Sequence, residues 1–203
     1  MSPNPIVTKI YGPVGTKQII DGLRTMLSLD EQSRLAHHAD LRSGPGMQIE
    51  VTEVSPGDTF SVGEVVVKVG RTDHRPVSPS VGYRFEAEGK VAALAGDTVP
   101  CAELDALCAD ADVYVQTVLR PDLIDAMKKM LPAQAPRLHD ILDYHSTVED
   151  AGQTAARAKV KTLMLTHYVP AMQPGQEADW VSQAANHFSG RIVAGPDLTN
   201  VEV

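Results

Sequence analysis

The fold is decided by a loop, a helix and a strand in the stretch Asp143-Tyr144-His145-Ser146-Thr147-Val148-Glu149-Asp150 and, after the helix, Thr162-Leu163-Met164-Leu165-Thr166-His167. A hydroxyl residue of the His-Ser-Thr segment can cap a helix whose first turn carries two acidic residues, where the helix dipole favours negative charge. The run 162–166 is of strand length and apolar, which is typical of a strand covered on both faces. Because α/β proteins place their chemistry at the carboxyl ends of such strands, His145 and His167 are predicted to lie at one rim.

Length and composition indicate one globular domain over residues 1–203, with 43% hydrophobic and 22% charged residues. The net charge is −8, and no basic patch is evident, so nucleic acid is not expected as a partner. Cys101 and Cys108 have helical spacing and are interpreted as two small residues on a helix face, which favours a reducing compartment such as the cytoplasm. No apolar run approaches the ~18 residues of a membrane span, so no membrane partner is expected, and the first residues lack the features of a signal peptide.

The hydrophobic pattern changes along the chain from mostly strands to alternating helices and strands. After a strand at 6–10 and helices at 15–29 and 30–39, a period of two predicts strands at 48–54, 59–60, 64–69, 81–86 and 91–95. The second half predicts helices at 102–108, 122–130, after Thr147 and at 176–188, and strands at 113–116, 162–166 and 191–194. Antiparallel strands followed by βα units predict an α/β domain with a mixed sheet.

Four segments place imidazole or carboxylate groups at turns, and they contain His74, Asp97, His145 and His167. Histidine and aspartate together suit zinc, and one carboxylate can bridge two ions. Each segment also has a simpler interpretation, because a histidine after a strand is often a surface or capping residue and Gly-Asp-Thr is a common turn. No pair has the spacing of a local metal motif, so spacing alone leaves both interpretations open.

The order of several short motifs resembles the metallo-β-lactamase superfamily, in its ribonuclease Z/arylsulfatase-like branch. The motifs are Ile10-Tyr11-Gly12-Pro13-Val14-Gly15-Thr16, His74 followed by Gly82-Tyr83-Arg84-Phe85, Gly96-Asp97-Thr98, His145-Ser146-Thr147 and Leu165-Thr166-His167. The resemblance implies an αβ/βα sandwich with mixed sheets and a hydrolase site at the strand ends. That site usually holds two zinc ions, with manganese as an alternative.

The resemblance also implies a role for each candidate residue. His74 matches a histidine that completes the set of the first metal, Asp97 the bridging carboxylate, and His167 the histidine on the second metal. His145 matches a catalytic histidine that does not bind metal and stabilises or protonates the reacting centre. Tyr83 and Arg84 belong to the same motif and are given no role.

Two departures from the family pattern shape the functional expectation. The His-x-His-x-Asp-His motif is absent, so the chain is expected to be the C-terminal two-thirds of the fold with the N-terminal part missing, to hold metal poorly and to be inactive alone. In addition, Val115-Gln116-Thr117-Val118 stands where relatives carry His-Glu-Ala-Thr, and only 22 residues separate His74 from Asp97, too few for a long tRNA-gripping arm. The expected substrate is therefore a small ester, sulfate, lactone or phosphodiester.

Three alternatives stay open beside this metal-dependent hydrolase. In the first, the chain is a non-catalytic truncated homologue or assembly partner that forms a homo-oligomer. In the second, another chain supplies the missing metal ligands. A tRNA 3′-end endonuclease is the least favoured alternative. The group His37-His38-x-Asp40 is not expected to replace the missing motif, because it lies after the family position and has different spacing.

Overall fold

The computed structural model describes residues 7–38 and 48–203. Contacts divide the chain into two compact units, Met1–Ser55 and Pro56–Val203. The single domain expected over residues 1–203 stays a prediction. None of the helices in the described part of the chain is both long and apolar enough to cross a membrane.

The first unit contains a parallel strand pair and a long helix. Strand β1 (Thr8–Gly12) pairs with β2 (Ile49–Glu53), and helix α1 spans Thr16–His37. The two helices predicted at 15–29 and 30–39 form this one helix, because no helix-breaking residue separates them and an Asp30–Arg34 ion pair of 2.7 Å bridges one turn after the expected break. Asp40, the last residue of the group His37-His38-x-Asp40, lies outside the described residues.

The start of α1 is held by a carboxylate from β2. Glu53 Oε1 accepts hydrogen bonds from the backbone N–H groups of Gly15 at 2.8 Å and Lys17 at 3.1 Å. These N–H groups have no partner within the helix, and negative charge is favourable at this end. β1 ends at Gly12, two residues later than the predicted strand at 6–10, and the Gly12 carbonyl oxygen accepts a hydrogen bond from Val54 N at 2.8 Å.

The second unit is built on a seven-stranded mixed sheet whose spatial order follows the sequence order. Its strands are β3 (Thr59–Val62), β4 (Val65–His74), β5 (Val77–Ala87), β6 (Lys90–Leu94), β7 (Val113–Leu119), β8 (Thr162–Val169) and β9 (Arg191–Val193). Neighbours from β3 to β6 are antiparallel, and those from β6 to β9 are parallel. The predicted mixed sheet is thus confirmed. β4 and β5 extend further than predicted and meet in a tight hairpin beside His74. The predicted strands were shorter because polar residues there interrupt the apolar alternation.

The helices of the second unit are α2 (Ala102–Cys108), α3 (Pro121–Met130), α4 (Ala135–Asp140), α5 (Val148–Arg157) and α6 (Glu177–Ala185). Short 3-10 turns at Pro132–Gln134 and Ile141–Asp143 flank α4. The sequence analysis did not predict α4. Helix α5 begins with a capping box in which Thr147 Oγ1 accepts from Asp150 N at 3.0 Å and the Asp150 carboxylate accepts from Thr147 N at 3.0 Å.

A buried core fixes the parallel strands against the helices. Tyr114 on β7, Leu163 on β8 and Trp180 on α6 are fully buried. Helices α5 and α6 approach closely at Gly152, where a β-carbon would lie only 2.6 Å from the carbonyl oxygen of Ala184. This packing sets where β7 and β8 end, and those ends carry the candidate functional groups.

Candidate metal centre

Asp97 is presented by a turn that two β7 side chains hold in place. The turn follows β6 and contains Gly96, whose φ of +69° is a left-handed conformation that suits glycine. The Gly96 carbonyl oxygen accepts hydrogen bonds from Thr117 Oγ1 at 2.9 Å and from Gln116 Nε2 at 3.3 Å. The position of the Asp97 carboxylate is therefore coupled to the strand beside it.

Two buried residues, Thr98 and Ser146, connect the Asp97 turn to the loops that carry His74 and His145. Thr98 Oγ1 accepts from Asp73 N at 2.9 Å, next to His74, and the Thr98 carbonyl oxygen accepts from Ser146 Oγ at 2.7 Å. Thr98 is fully buried and Ser146 almost so, which makes these bonds costly to break. The ends of β4 and β6 and the loop before α5 are thus held together.

Backbone carbonyl groups orient two of the imidazoles. His74 Nδ1 lies 2.8 Å from the Tyr144 carbonyl oxygen, and His145 Nδ1 lies 3.0 Å from the Ile141 carbonyl oxygen. Because a carbonyl oxygen only accepts, each Nδ1 carries a hydrogen and donates it. In the neutral form, each Nε2 then has a free lone pair, which is the arrangement seen for metal-binding histidines.

Asp97, His145 and His167 converge at the carboxyl ends of the strands. One potential ligand atom from each lies within 4.8 Å of the other two. His167 Nδ1 is 3.4 Å from Asp97 Oδ1, and His145 Nε2 is 3.7 Å from Asp97 Oδ2. His167 has a φ of +46°, an uncommon conformation for a non-glycine residue that often marks functional sites.

His74 lies beside this group but outside it. Its ring centroid is 5.3 Å from that of His145, edge to face, and 5.2 Å from that of Tyr144. The structure therefore brings three of the four predicted residues within ligand distance and places the fourth against one of them. The division into metal ligands (His74, Asp97, His167) and a catalytic histidine (His145) stays a prediction.

Charge interactions within the cluster stabilise the ionised aspartate. The interaction with the His145 imidazole, then the Thr117 hydroxyl and the His167 ring, lowers the pKa of Asp97 from 3.8 to about 2, against the opposing effect of burial. Conversely, the Asp97 carboxylate and, to a lesser extent, the Ile141 carbonyl raise the pKa of His145, again against burial. Both shifts favour an ion pair in the metal-free protein.

One oxygen of the cluster, Asp97 Oδ1, is buried and accepts no hydrogen bond from the described residues, although His167 Nδ1 lies 3.4 Å from it. A buried carboxylate oxygen without a donor is unfavourable, and a bound cation would satisfy it. Together with the available imidazole nitrogens, this oxygen fits a borderline divalent cation such as zinc or manganese.

Several supporting residues were missed by the sequence analysis, namely Thr98, Gln116, Thr117, Tyr144 and Ser146. Gln116 and Thr117 are buried polar residues inside an otherwise apolar strand, and such residues need specific partners. That pattern was the available signal for both. Nothing in the local sequence indicated that the Tyr144 ring would pack against both His74 and His145, with centroid distances of 5.2 Å and 4.7 Å.

Comparison with known proteins identifies relatives that share this arrangement of elements. Residues 7–168 match the family described as "Beta-lactamase superfamily domain". The chain is 48% identical to ribonuclease Z of Mycolicibacterium gilvum (strain PYR-GCK) over all of its own length and 67% of the relative's. It is 47% identical to ribonuclease Z of Mycobacterium tuberculosis (strain ATCC 25618 / H37Rv) over 98% of its length and 70% of the relative's. The crystal structure of the short form of human tRNase Z superposes with a TM-score of 0.51 and 25% identity, over 79% of this chain and 60% of the human one.

Proposed function

The chain belongs to the beta-lactamase superfamily with the metallo-β-lactamase fold, and on this premise we propose that it contributes the strand-end site of a metal-dependent hydrolase that cleaves phosphodiester bonds in RNA. The observation that carries the proposal is the convergence of Asp97, His145 and His167, with Asp97 Oδ1 buried and without a hydrogen bond from the described residues. Two histidines and a carboxylate that meet at the ends of parallel strands form the kind of donor set that zinc sites use.

RNA replaces the small ester, sulfate or lactone as the preferred substrate, and nucleic acid becomes the expected partner. The similarity to relatives named ribonuclease Z favours RNA as the substrate, whereas the net charge favoured a small molecule. Arg71 and Arg75 line a cavity of about 320 Å³ that includes His74. Asp73 and Glu103 in the same lining balance the charge of these arginines, and Asp73 pairs with Arg75. Arg71 is therefore the side chain of this lining that is suited to contact phosphate oxygens.

We assign Asp97 and His167 to hold the metal, with His74 completing the set. A bound divalent cation supplies Lewis acidity toward a phosphoryl oxygen and a water of lowered pKa. The Asp97 carboxylate is suited to this role because its low pKa keeps it ionised throughout the neutral range. His74 contributes an Nε2 lone pair whose direction is fixed by the Nδ1 hydrogen bond to the Tyr144 carbonyl oxygen.

His145 is proposed as the proton donor. In the metal-free protein the Asp97 carboxylate raises the pKa of His145, and a protonated His145 Nε2 can donate a proton but cannot bind a metal. As the oxygen of water bonds to phosphorus and the bond from phosphorus to the leaving ribose oxygen breaks, His145 Nε2 delivers a proton to that leaving oxygen. The attacking water releases one proton to the solvent, and His145 regains its proton from the solvent. The Nδ1 hydrogen bond to Ile141 holds the ring in place during the transfer.

The test is cleavage of a 3′-extended tRNA precursor, with zinc or manganese, by the purified chain extended at its N-terminus by a segment that carries the His-x-His-x-Asp-His motif. We expect a discrete cleavage product that is lost on chelation, in Asp97→Asn and in His167→Ala, and strongly reduced in His145→Ala. His187→Ala is the matched control, because His187 is an exposed histidine at the end of α6 and should leave cleavage unchanged. A metal-loaded extended chain without substitutions that leaves the RNA intact would refute the proposed substrate.

A non-catalytic assembly role is a second candidate, supported by one observation in the first unit. Helix α1 has no buried residue, and the exposed fractions of Ile19, Leu23, Met26 and Leu29 range from 38% to 74%. Large exposed apolar side chains at helical spacing often mark interfaces between proteins. Sedimentation that gives a monomer at high protein concentration would exclude self-association through this helix.

A further inference from the structure

A cavity of about 470 Å³ opens directly beside His167. Its walls are formed by residues 164–168 of β8, by residues 171–172 and by residues 195–199 after β9. The volume lies in the range of pockets that bind small organic ligands. Since it shares His167 with the metal centre, a ligand in this cavity lies next to any group bound there.

Hydrogen bonds across the cavity wall hold its shape. The Tyr168 hydroxyl donates to the Leu165 carbonyl oxygen at 2.8 Å and accepts from Gly195 N at 3.0 Å, which joins β8 to the segment after β9. The Tyr168 ring packs edge to face on the buried Trp180 ring, with centroids 5.0 Å apart. The cavity is therefore preformed, and a ligand need not order this wall on binding.

The chemistry of the lining selects a flat, partly apolar ligand with hydrogen-bond donors. Met164 and Met172 provide polarisable thioether side chains that make favourable contacts with aromatic rings. Asp197 adds an exposed carboxylate to the same lining. A carboxylate repels a phosphate but accepts hydrogen bonds from the exocyclic amino group of a nucleobase, of which cytosine N4 is the typical partner.

We propose that this cavity binds the base of a nucleotide adjoining the phosphate at the metal centre, and that Asp197 gives preference to a base with an exocyclic amino group, such as cytosine. This inference rests on the proposed function, because a nucleic acid substrate is what brings a base next to His167. The carboxylate then acts as a specificity determinant and takes no part in bond cleavage.

The experiment uses the full chain labelled with ¹³C at the methionine methyl groups and titrated with single nucleotides. We expect cytidine 5′-monophosphate to shift the Met164 and Met172 signals and to leave those of Met26 and Met130, which are outside the cavity lining, in place. Uridine 5′-monophosphate should bind at least about fivefold more weakly, the lower limit for one well-formed pair between a carboxylate and a base. Ribose 5-phosphate, which lacks a base, should leave the Met164 and Met172 signals unchanged.

Two variants separate the base contact from general effects of charge. In Asp197→Asn the preference for cytidine should fall below about twofold, because the amide can pair with either pyrimidine. Asp125→Asn removes the same charge on α3 and should keep the preference.

Equal shifts with ribose 5-phosphate, or an unchanged preference in Asp197→Asn, would overturn the assignment. The methyl signals report nucleotide binding and do not depend on cleavage. Failure of this proposal can therefore be distinguished from failure of the proposed RNA cleavage.

Discussion

The low pKa of Asp97 gives the metal-free protein a defined dependence of stability on pH. A carboxyl group whose pKa is 3.8 in the unfolded chain and about 2 in the folded protein stabilises the fold by about 2 kcal/mol at neutral pH. Because the folded-state pKa is lowered, this contribution is complete above about pH 5 and is lost as the pH falls through 3.8 toward 2. At pH 3, we expect about 1 kcal/mol of it to be gone.

The assay is urea unfolding of the wild type and of Asp97→Asn in the presence of a chelator, from pH 6 to pH 3. The difference in free energy of unfolding between the two proteins should shrink by about 1 kcal/mol over this range, because the asparagine cannot titrate. In His145→Ala, the Asp97 pKa measured by ¹³C carboxyl NMR should move up toward 3.8, since His145 is the largest cause of its lowering. A difference between wild type and Asp97→Asn that is constant from pH 6 to pH 3 would refute the ion pair.

Two further substitutions test the packing that positions the site. Ser146→Ala removes the hydrogen bond to the buried Thr98 carbonyl and should lower the free energy of unfolding by about 1–2 kcal/mol in a urea titration. Ser182→Ala, at an exposed position of α6, should change it by less than about 0.5 kcal/mol. Gly152→Ala places a β-carbon 2.6 Å from the α6 backbone and should destabilise by about 1–3 kcal/mol, whereas Gly22→Ala, in open space on α1, should stabilise by up to about 1 kcal/mol. If the two serine substitutions, or the two glycine substitutions, changed the free energy of unfolding equally, the corresponding contact would be contradicted.

The sequence predicted the strands and helices that have strong local signals. The apolar runs of β7 and β8 and the cap of α5 were placed within a few residues, because hydrophobic period and capping residues act locally. Helix α4 was missed because it is only six residues long and contains a proline in its first turn. Its stability depends on neighbouring segments, which a single stretch of sequence does not reveal.

The site was predictable in its principal residues and not in its supporting contacts. The order of the family motifs grouped His74, Asp97, His145 and His167, and the structure brings the last three together and places His74 outside them, against His145. The hydrogen bond from Ser146 to the Thr98 carbonyl joins residues 48 positions apart, and no periodicity encodes such a contact. The 470 Å³ cavity beside His167 likewise forms only when the segment after β9 packs against β8.

Isothermal titration calorimetry of the chelator-treated chain with manganese tests the central claim most directly. We predict saturable binding in the wild type and in the His187→Ala control, with affinity at least about tenfold lower in Asp97→Asn and in His167→Ala, as expected when a metal-binding group is removed. Equal affinity in the wild type and in both of these variants would contradict the assignment of Asp97 and His167 as metal ligands.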